Sequence, residues 1–164
     1  MNISVCKANK HDLTAFSMLW QFYQYHQSSF DFDDVNENGR FDIDEDYLEE
    51  VLSGHDSCAA YMVLSNDAIA GFATVEPTEI EGKEMPELSD VFILPKYRNC
   101  GVAQEVIEKL MLAQQGEWHV AVYEKDSQAL SFWEGLFRRL NIKQCKKLEP
   151  PETEGFHEFI VENI

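Results

Sequence analysis

Val91-Phe92-Ile93-Leu94-Pro95-Lys96-Tyr97-Arg98-Asn99-Cys100-Gly101-Val102-Ala103 is the segment from which the rest of this chain can be read. Val91 to Leu94 is an apolar run with strand character, and Pro95 ends it because proline cannot donate to a ladder. A short basic loop follows, and from Val102 the apolar residues fall at helical spacing. Strand, turn and helix therefore meet at Gly101. Lacking a Cβ, Gly101 lets a ligand approach the backbone closely. The first amides of a helix have no partners inside it, and the helix dipole favours an anion at that end. In a chain with 30 acidic and 13 basic residues and a net charge of −17, Lys96 and Arg98 in one loop are placed for a phosphate. The Gly-Lys-Ser/Thr of a Walker loop and the glycines of the dinucleotide fingerprint are both missing.

Working outward, Val102 to Gln115 reads as an amphipathic helix, with Val102, Val106 and Leu110 on one stripe and Glu105 and Lys109 paired on the outer face. Trp118 to Tyr123 has a buried-strand pattern, Ser127 to Leu140 is a helix, and Phe156 to Val161 alternates as a last strand. Upstream, Glu87 to Leu94 is a strand, preceded by Cys58 to Leu64 and Ala68 to Val75 joined through Ser65-Asn66-Asp67. Ile3 to Ala8 is a first strand. Asp12 opens a helix carrying Leu13, Phe16, Trp20 and Tyr23 on one face, fading near Ser28-Ser29. Asp31 to Asp46 is an acidic loop, and Asp44 to Leu52 a second helix stopped by Gly54. This order predicts an α/β (α+β) domain with a mixed sheet, a single domain over residues 1–164.

Composition narrows the class. A length of 164 residues and 45% hydrophobic content suit one globular domain. No apolar run reaches the roughly 20 residues of a membrane helix, and Met1 to Val5 lacks the basic and apolar regions of a signal peptide, which predicts a cytoplasmic protein. The strongly acidic surface repels nucleic acid and anionic membranes and attracts cations. Cys6, Cys58, Cys100 and Cys145 are widely spaced with no CxxC pair, so reduced thiols are expected rather than a zinc site or a disulfide framework.

The turn resembles the acetyl-coenzyme A signature of the GNAT N-acetyltransferase superfamily, a strand ending in Pro followed by Gln/Arg-x-x-Gly-x-Gly/Ala, here Arg98-Asn99-Cys100-Gly101-Val102-Ala103. Asp126-Ser127-Gln128-Ala129-Leu130-Ser131-Phe132-Trp133 is similar to the family's Asn-x-x-Ala-x-x-Phe/Leu-Tyr segment. Gln21 to His26 and the Asp-Val-Asn-x-x-Gly-Arg-Phe loop resemble a little-characterised bacterial branch. The resemblance implies the GNAT fold, with a mostly antiparallel mixed sheet, flanking helices and splayed central strands. It implies transfer of an acetyl group from acetyl-coenzyme A, as co-substrate, to a primary amine, a small molecule or a peptide, by a monomer or homodimer. Pantetheine would bind along Val91, Phe92 and Ile93. Pyrophosphate would bind on the amides of Asn99, Cys100, Gly101, Val102, Ala103 and Gln104 beside Arg98. Asp126 and Trp133 would flank the cofactor.

The transfer needs a proton acceptor, because an amine is mostly protonated at pH 7. Asp90 is the first candidate and Glu87 the second, against the plain alternative of solvated strand carboxylates. Two positions depart from the family pattern. The Tyr that often protonates the leaving thiolate is replaced by Trp133, and the acid that many members carry on the strand after the signature helix is replaced by Ala121. Tyr123 is then a candidate proton donor. Cys100 as a nucleophile has no neighbouring histidine to raise its thiolate fraction.

Asp34 to Glu45 also fits the calcium-loop expression D-x-[DN]-x-[DN]-G-x5-E. Calcium loops of this kind pair, no second loop exists in this sequence, and residues 28–33 separate the first helix from it. The reading preferred is an acidic acceptor-side or surface loop without metal. Two alternatives remain open from sequence: a coenzyme A-binding sensor with lost catalysis, and a calcium-binding protein of another fold.

Overall fold

The computed structural model describes residues 1–163. Along the chain run β1 (Ile3–Lys7), α1 (Leu13–Asp31), α2 (Glu45–Ser53), β2 (Ala59–Ser65), β3 (Ala68–Ile80), β4 (Lys83–Ile93), α3 (Val102–Met111), β5 (Glu117–Tyr123), α4 (Ser127–Arg139), β6 (Gln144–Lys147) and β7 (Phe156–Glu162). The strands form one sheet in the order β1-β2-β3-β4-β5-β7-β6. Every neighbouring pair is antiparallel except β4 and β5, which are parallel and share one register pair, Glu87 with His119. Beyond that pair the two strands part, as the family resemblance implied.

The two faces of the sheet carry separate cores. On one, α1 and α2 place Phe16, Leu19, Leu48, Val51 and Leu52 against Ala60, Met62, Phe72 and Phe92. On the other, α3 and α4 place Val102, Val106, Ile107, Met111, Leu136 and Phe137 against Val63, Ala73, Ile93, Val120 and Phe159. Residues that alternate along β4 thus belong to different cores, so neither face of the central sheet is left to solvent.

Four elements differ from the sequence expectation. The helix expected to fade at Ser28-Ser29 continues to Asp31, and the two serine hydroxyls, instead of leaving the helix, donate back to the carbonyls of Tyr25 (2.7 Å) and His26 (2.9 Å) within it. It ends at Phe32, a left-handed residue whose N–H bonds the Ser28 carbonyl. The helix expected to reach Gln115 ends at Met111, where the Asn163 side chain donates to the carbonyls of Met111 and Gln114. The hairpin of β3 and β4 runs on to Ile80 and Lys83 around Glu81-Gly82, both at positive φ. Its prolines Pro77 and Pro86 face one another in register and mask the strand pattern. Edge strand β6 has four exposed residues, two of them lysines, and so lacks the alternation that would announce it.

Candidate active site

The parting of β4 from β5 opens a cleft of about 580 Å³. Its walls are Leu88 to Ile93 from β4, Ala121 to Tyr123 from β5, the start of α3, the first half of α4, and Tyr23, His26 and Gln27 from α1.

One end is the strand-turn-helix segment. Asn99 (φ 58°) and Gly101 (φ 84°) are both left-handed, and Gly101 is the N-cap of α3. Left-handed residues at a helix entrance turn consecutive N–H groups toward one point, an anion-binding concavity. A Cβ built on Gly101 would meet nothing within 4 Å, so the space above this glycine is open. Arg98 lines the cleft, its Nε donating to the Ile93 carbonyl (2.7 Å) and its guanidinium lying over the Phe92 ring. The structure thus ties Arg98 to the end of β4. Cys100 is exposed, with its thiol on the Tyr97 carbonyl (2.9 Å), and is absent from the cleft wall.

The edge of β4 comes next. The bond from Leu94 N–H to the Ala70 carbonyl sets the alternation of the ladder. Phe92 turns its N–H and C=O toward β3, while Val91 and Ile93 turn theirs toward the parted side. Of the three residues expected to offer backbone to pantetheine, Val91 turns both groups to the parted side and Ile93 its N–H, the Ile93 carbonyl being held by Arg98. Phe92 contributes its ring to the α1 core instead.

Asp90 stands in the middle of the cleft, beside a bulge where the β3–β4 register shifts between Thr74 and Val75. Its Oδ1 accepts from the Tyr23 hydroxyl (2.8 Å) and its Oδ2 from the Thr74 hydroxyl (2.7 Å). Burial pushes the Asp90 carboxyl above the usual carboxylate range, further raised by Glu76 and Glu87. The bonds from Thr74 and Tyr23 pull the other way without cancelling the rise. Tyr23 is itself pushed well above the ordinary phenol value by burial and by Asp90. Tyr47 of α2 is raised by the same causes and by Glu76.

Glu87 lies elsewhere. It is absent from the cleft wall, and its carboxylate is 3.5 Å from Nδ1 of His119, whose Nε2 is 3.0 Å from Glu158. The second candidate base is thus held in a carboxylate–imidazole–carboxylate row across β4, β5 and β7. Tyr123 does line the cleft, edge-on to Phe30. Asp126 caps α4 through the Ala129 N–H (2.9 Å) and faces His26 Nε2 at 3.4 Å. Trp133 is buried in the cleft wall against Phe137.

Sequence reading misses the α1 wall and Thr74. In the sequence Tyr23 reads as part of an apolar helix face. Nothing in local spacing says that this face crosses Asp90, 67 residues away.

The acidic loop is knitted by its own bonds. Asn36 Oδ1 accepts from the N–H groups of Asn38 and Arg40, and its amide donates to Asp42. Asp44 caps α2, and Gln21 of α1 holds both backbone groups of Phe41. Among the described residues no group of three or more His, Cys, Asp or Glu is arranged to hold a metal ion, and no helix is long and apolar enough to cross a membrane.

The model of the acetyltransferase (GNAT) family matches residues 15–136. No curated protein sequence matches the chain. Among solved structures, the chain is similar to an acetyltransferase from Thermus thermophilus, with 10% identity over 98% of this chain and 96% of that one and a TM-score of 0.70. It is similar to Arabidopsis thaliana NAA60 in complex with a bisubstrate analogue, with 14% identity over 99% and 100% of the two chains and a TM-score of 0.63. An aminoglycoside acetyltransferase from an uncultured soil metagenomic sample, in complex with sisomicin, is 16% identical over 87% and 90%, with a TM-score of 0.59. At these identities the likeness is one of fold.

Proposed function

The chain belongs to the acetyltransferase (GNAT) family, and from that premise we propose that it moves an acetyl group from acetyl-coenzyme A to a primary amine, with Asp90 receiving the proton. The observation that carries this reading is the position of Asp90: a half-buried carboxylate in the middle of a cleft that has an anion cradle at one end and an unpaired strand edge between. Pantetheine lies along the backbone groups of Val91 and the N–H of Ile93, whose carbonyl Arg98 holds, and the pyrophosphate on the amides from Asn99 to Gln104. The ring of Trp133 walls the channel.

The chemistry is a direct displacement. The amine nitrogen attacks the thioester carbonyl, its lone pair forming the C–N bond. The C–S bond breaks with its electron pair leaving on sulfur. The proton lost by nitrogen goes to Asp90, within reach of an acceptor bound between α1, α2 and β4. A carboxyl pushed above its usual range is a better match to this task near neutral pH than an ordinary aspartate. Trp133 has no acidic proton. A thiol of ordinary acidity leaves without strong assistance, and Tyr123 on the β5 wall is the phenol we assign to protonating it.

The acceptor carries a positive charge beyond the reacting nitrogen. The carboxylates Glu76 and Glu87 act on Asp90 from the same region, and the chain as a whole has a net charge of −17. A cationic acceptor is drawn to such a field.

The replacement of an acid by Trp133 favours one other reading, a coenzyme A-binding module that does not turn over. An amine panel with free coenzyme A thiol as readout separates the two. Steady thiol release with at least one cationic primary amine, well above the rate without acceptor, is the expected result. Binding of acetyl-coenzyme A with no release for any amine supports the second reading instead.

A further inference from the structure

We propose that Tyr23 is a positioning residue for Asp90: its hydroxyl, fixed by Gln27, orients the Asp90 carboxylate and favours its ionised form. This rests on the assignment of Asp90 as proton acceptor and names a residue of α1 that acts through it.

The geometry is over-determined. The Tyr23 ring packs edge-on to Trp20 (5.4 Å) and to Phe72 (5.6 Å), and tilted against Phe92 (5.6 Å). Three rings therefore set where its oxygen lies. Gln27, one turn further along α1, donates from Nε2 to that oxygen at 2.9 Å. An ionised carboxylate can only accept, so the phenol proton points to Asp90 Oδ1 at 2.8 Å. Thr74, fully buried on β3, holds Oδ2 at 2.7 Å. With one fixed donor on each oxygen, from opposite elements, the carboxylate cannot rotate about its χ2. Its remaining lone pairs are left for the cleft.

The electrostatic surroundings make these donors matter. Asp90 is faced by Tyr23 from α1, Tyr47 from α2, Glu76 from β3 and Glu87 along β4. The cleft beyond holds His26, Arg98, Tyr123 and Asp126. Burial and the two glutamates favour the neutral acid, which cannot take a proton. The Thr74 and Tyr23 bonds oppose them. A hydrogen bond to a charged group is worth enough that losing one moves a titration by about one pH unit. Tyr23 itself is a poor proton donor to a thiolate, since burial and Asp90 hold its own ionisation well above that of an ordinary phenol. Its role is to tune the base.

The test uses Tyr23→Phe and Gln27→Met in the full chain, with two readouts. One is the pH profile of kcat/KM for the best amine. The other is the titration of the Asp90 carboxyl by carbon NMR, assigned with Asp90→Asn. In Tyr23→Phe, the acid limb and the carboxyl midpoint are expected to move up together by about one pH unit, with the acetyl-coenzyme A KM little changed. Gln27→Met should move both the same way by less, because the hydroxyl remains but is no longer aimed. An activity lowered equally at all pH values, with both midpoints unmoved, overturns the proposal. If the NMR midpoint moves while the acid limb stays, the role of Tyr23 stands and the assignment of Asp90 as the base falls.

Discussion

Glu87 on β4 and His119 on β5 are the single register pair joining these two parallel strands, and their side chains meet there, the carboxylate 3.5 Å from Nδ1. The open cleft begins immediately beyond them. Glu158 on β7 takes the other side of the ring at 3.0 Å and accepts the Thr153 N–H (2.9 Å) with its second oxygen. The seam that closes the sheet therefore holds an imidazole hydrogen-bonded to Glu158 and within ion-pair distance of Glu87.

Burial favours the neutral form of His119, but Glu87 and Glu158 outweigh it and hold its titration above the ordinary value of 6.5. A group whose folded pKa is raised contributes stability that is fully present below its unfolded pKa and is lost as pH rises through the folded one. The stability difference between wild type and His119→Gln should therefore be largest near pH 6 and shrink toward pH 9. Urea unfolding at several pH values measures it, and a difference that is flat or grows with pH contradicts the pairing.

Gly71 on β3 leaves no room for a side chain against β4. A Cβ there would stand 2.0 Å from the Phe92 carbonyl oxygen. Since the clash is with backbone, no rotamer relieves it. Gly71→Ala should cost about 1–3 kcal/mol by urea unfolding, the range of overpacked sites, and an unchanged midpoint would show that the strands are not held this close.

Gly101 tests the cradle without a steric clash, since the space beside it is open. Gly101→Asp puts a negative charge where the pyrophosphate is proposed to sit. Calorimetric affinity for acetyl-coenzyme A should drop by roughly tenfold or more, a loss of at least about 1.4 kcal/mol, and equal affinity in both proteins would place the phosphates elsewhere. Gly101→Ala controls for the left-handed backbone.

The proposed cationic acceptor has a salt signature. Fields from exposed carboxylates are screened beyond about 10 Å at 0.1 M salt. The kcat/KM for the best acceptor should fall as salt rises while kcat changes less. Asp33→Lys with Asp34→Lys should raise the acceptor KM and leave that of acetyl-coenzyme A nearly unchanged. A flat salt response, or preference for anionic amines, would reduce the loop to a solvated turn.

The parts of the molecule readable from sequence are those where the signal is local. The strand-turn-helix at Gly101 carries its chemistry in thirteen consecutive residues, and the amphipathic stripes of α1 to α4 are written at helical spacing. What stays hidden depends on contacts made over long separations. Glu87 looks equivalent to Asp90 along β4, three residues apart. Only the pairing of β5 with β4 and β7 hands Glu87 to His119 and leaves Asp90 to the cleft. Tyr23 and Thr74 lie 67 and 16 residues from Asp90, and neither has a motif to mark it. Strand β6 is invisible in sequence because its partner supplies all of its order.

The measurement that bears most directly on the central assignment pairs kinetics with binding in Asp90→Asn. The substitution keeps the size of the side chain and its place between Tyr23 and Thr74 but removes its capacity to accept a proton at neutral pH. The expected result is a loss of about 10²- to 10⁴-fold in kcat/KM for the amine, with the calorimetric Kd for acetyl-coenzyme A within about twofold of wild type, since the cofactor half of the cleft is untouched. An Asp90→Asn enzyme that acetylates its amine within a few-fold of the wild-type rate would contradict the assignment of Asp90 as the proton acceptor.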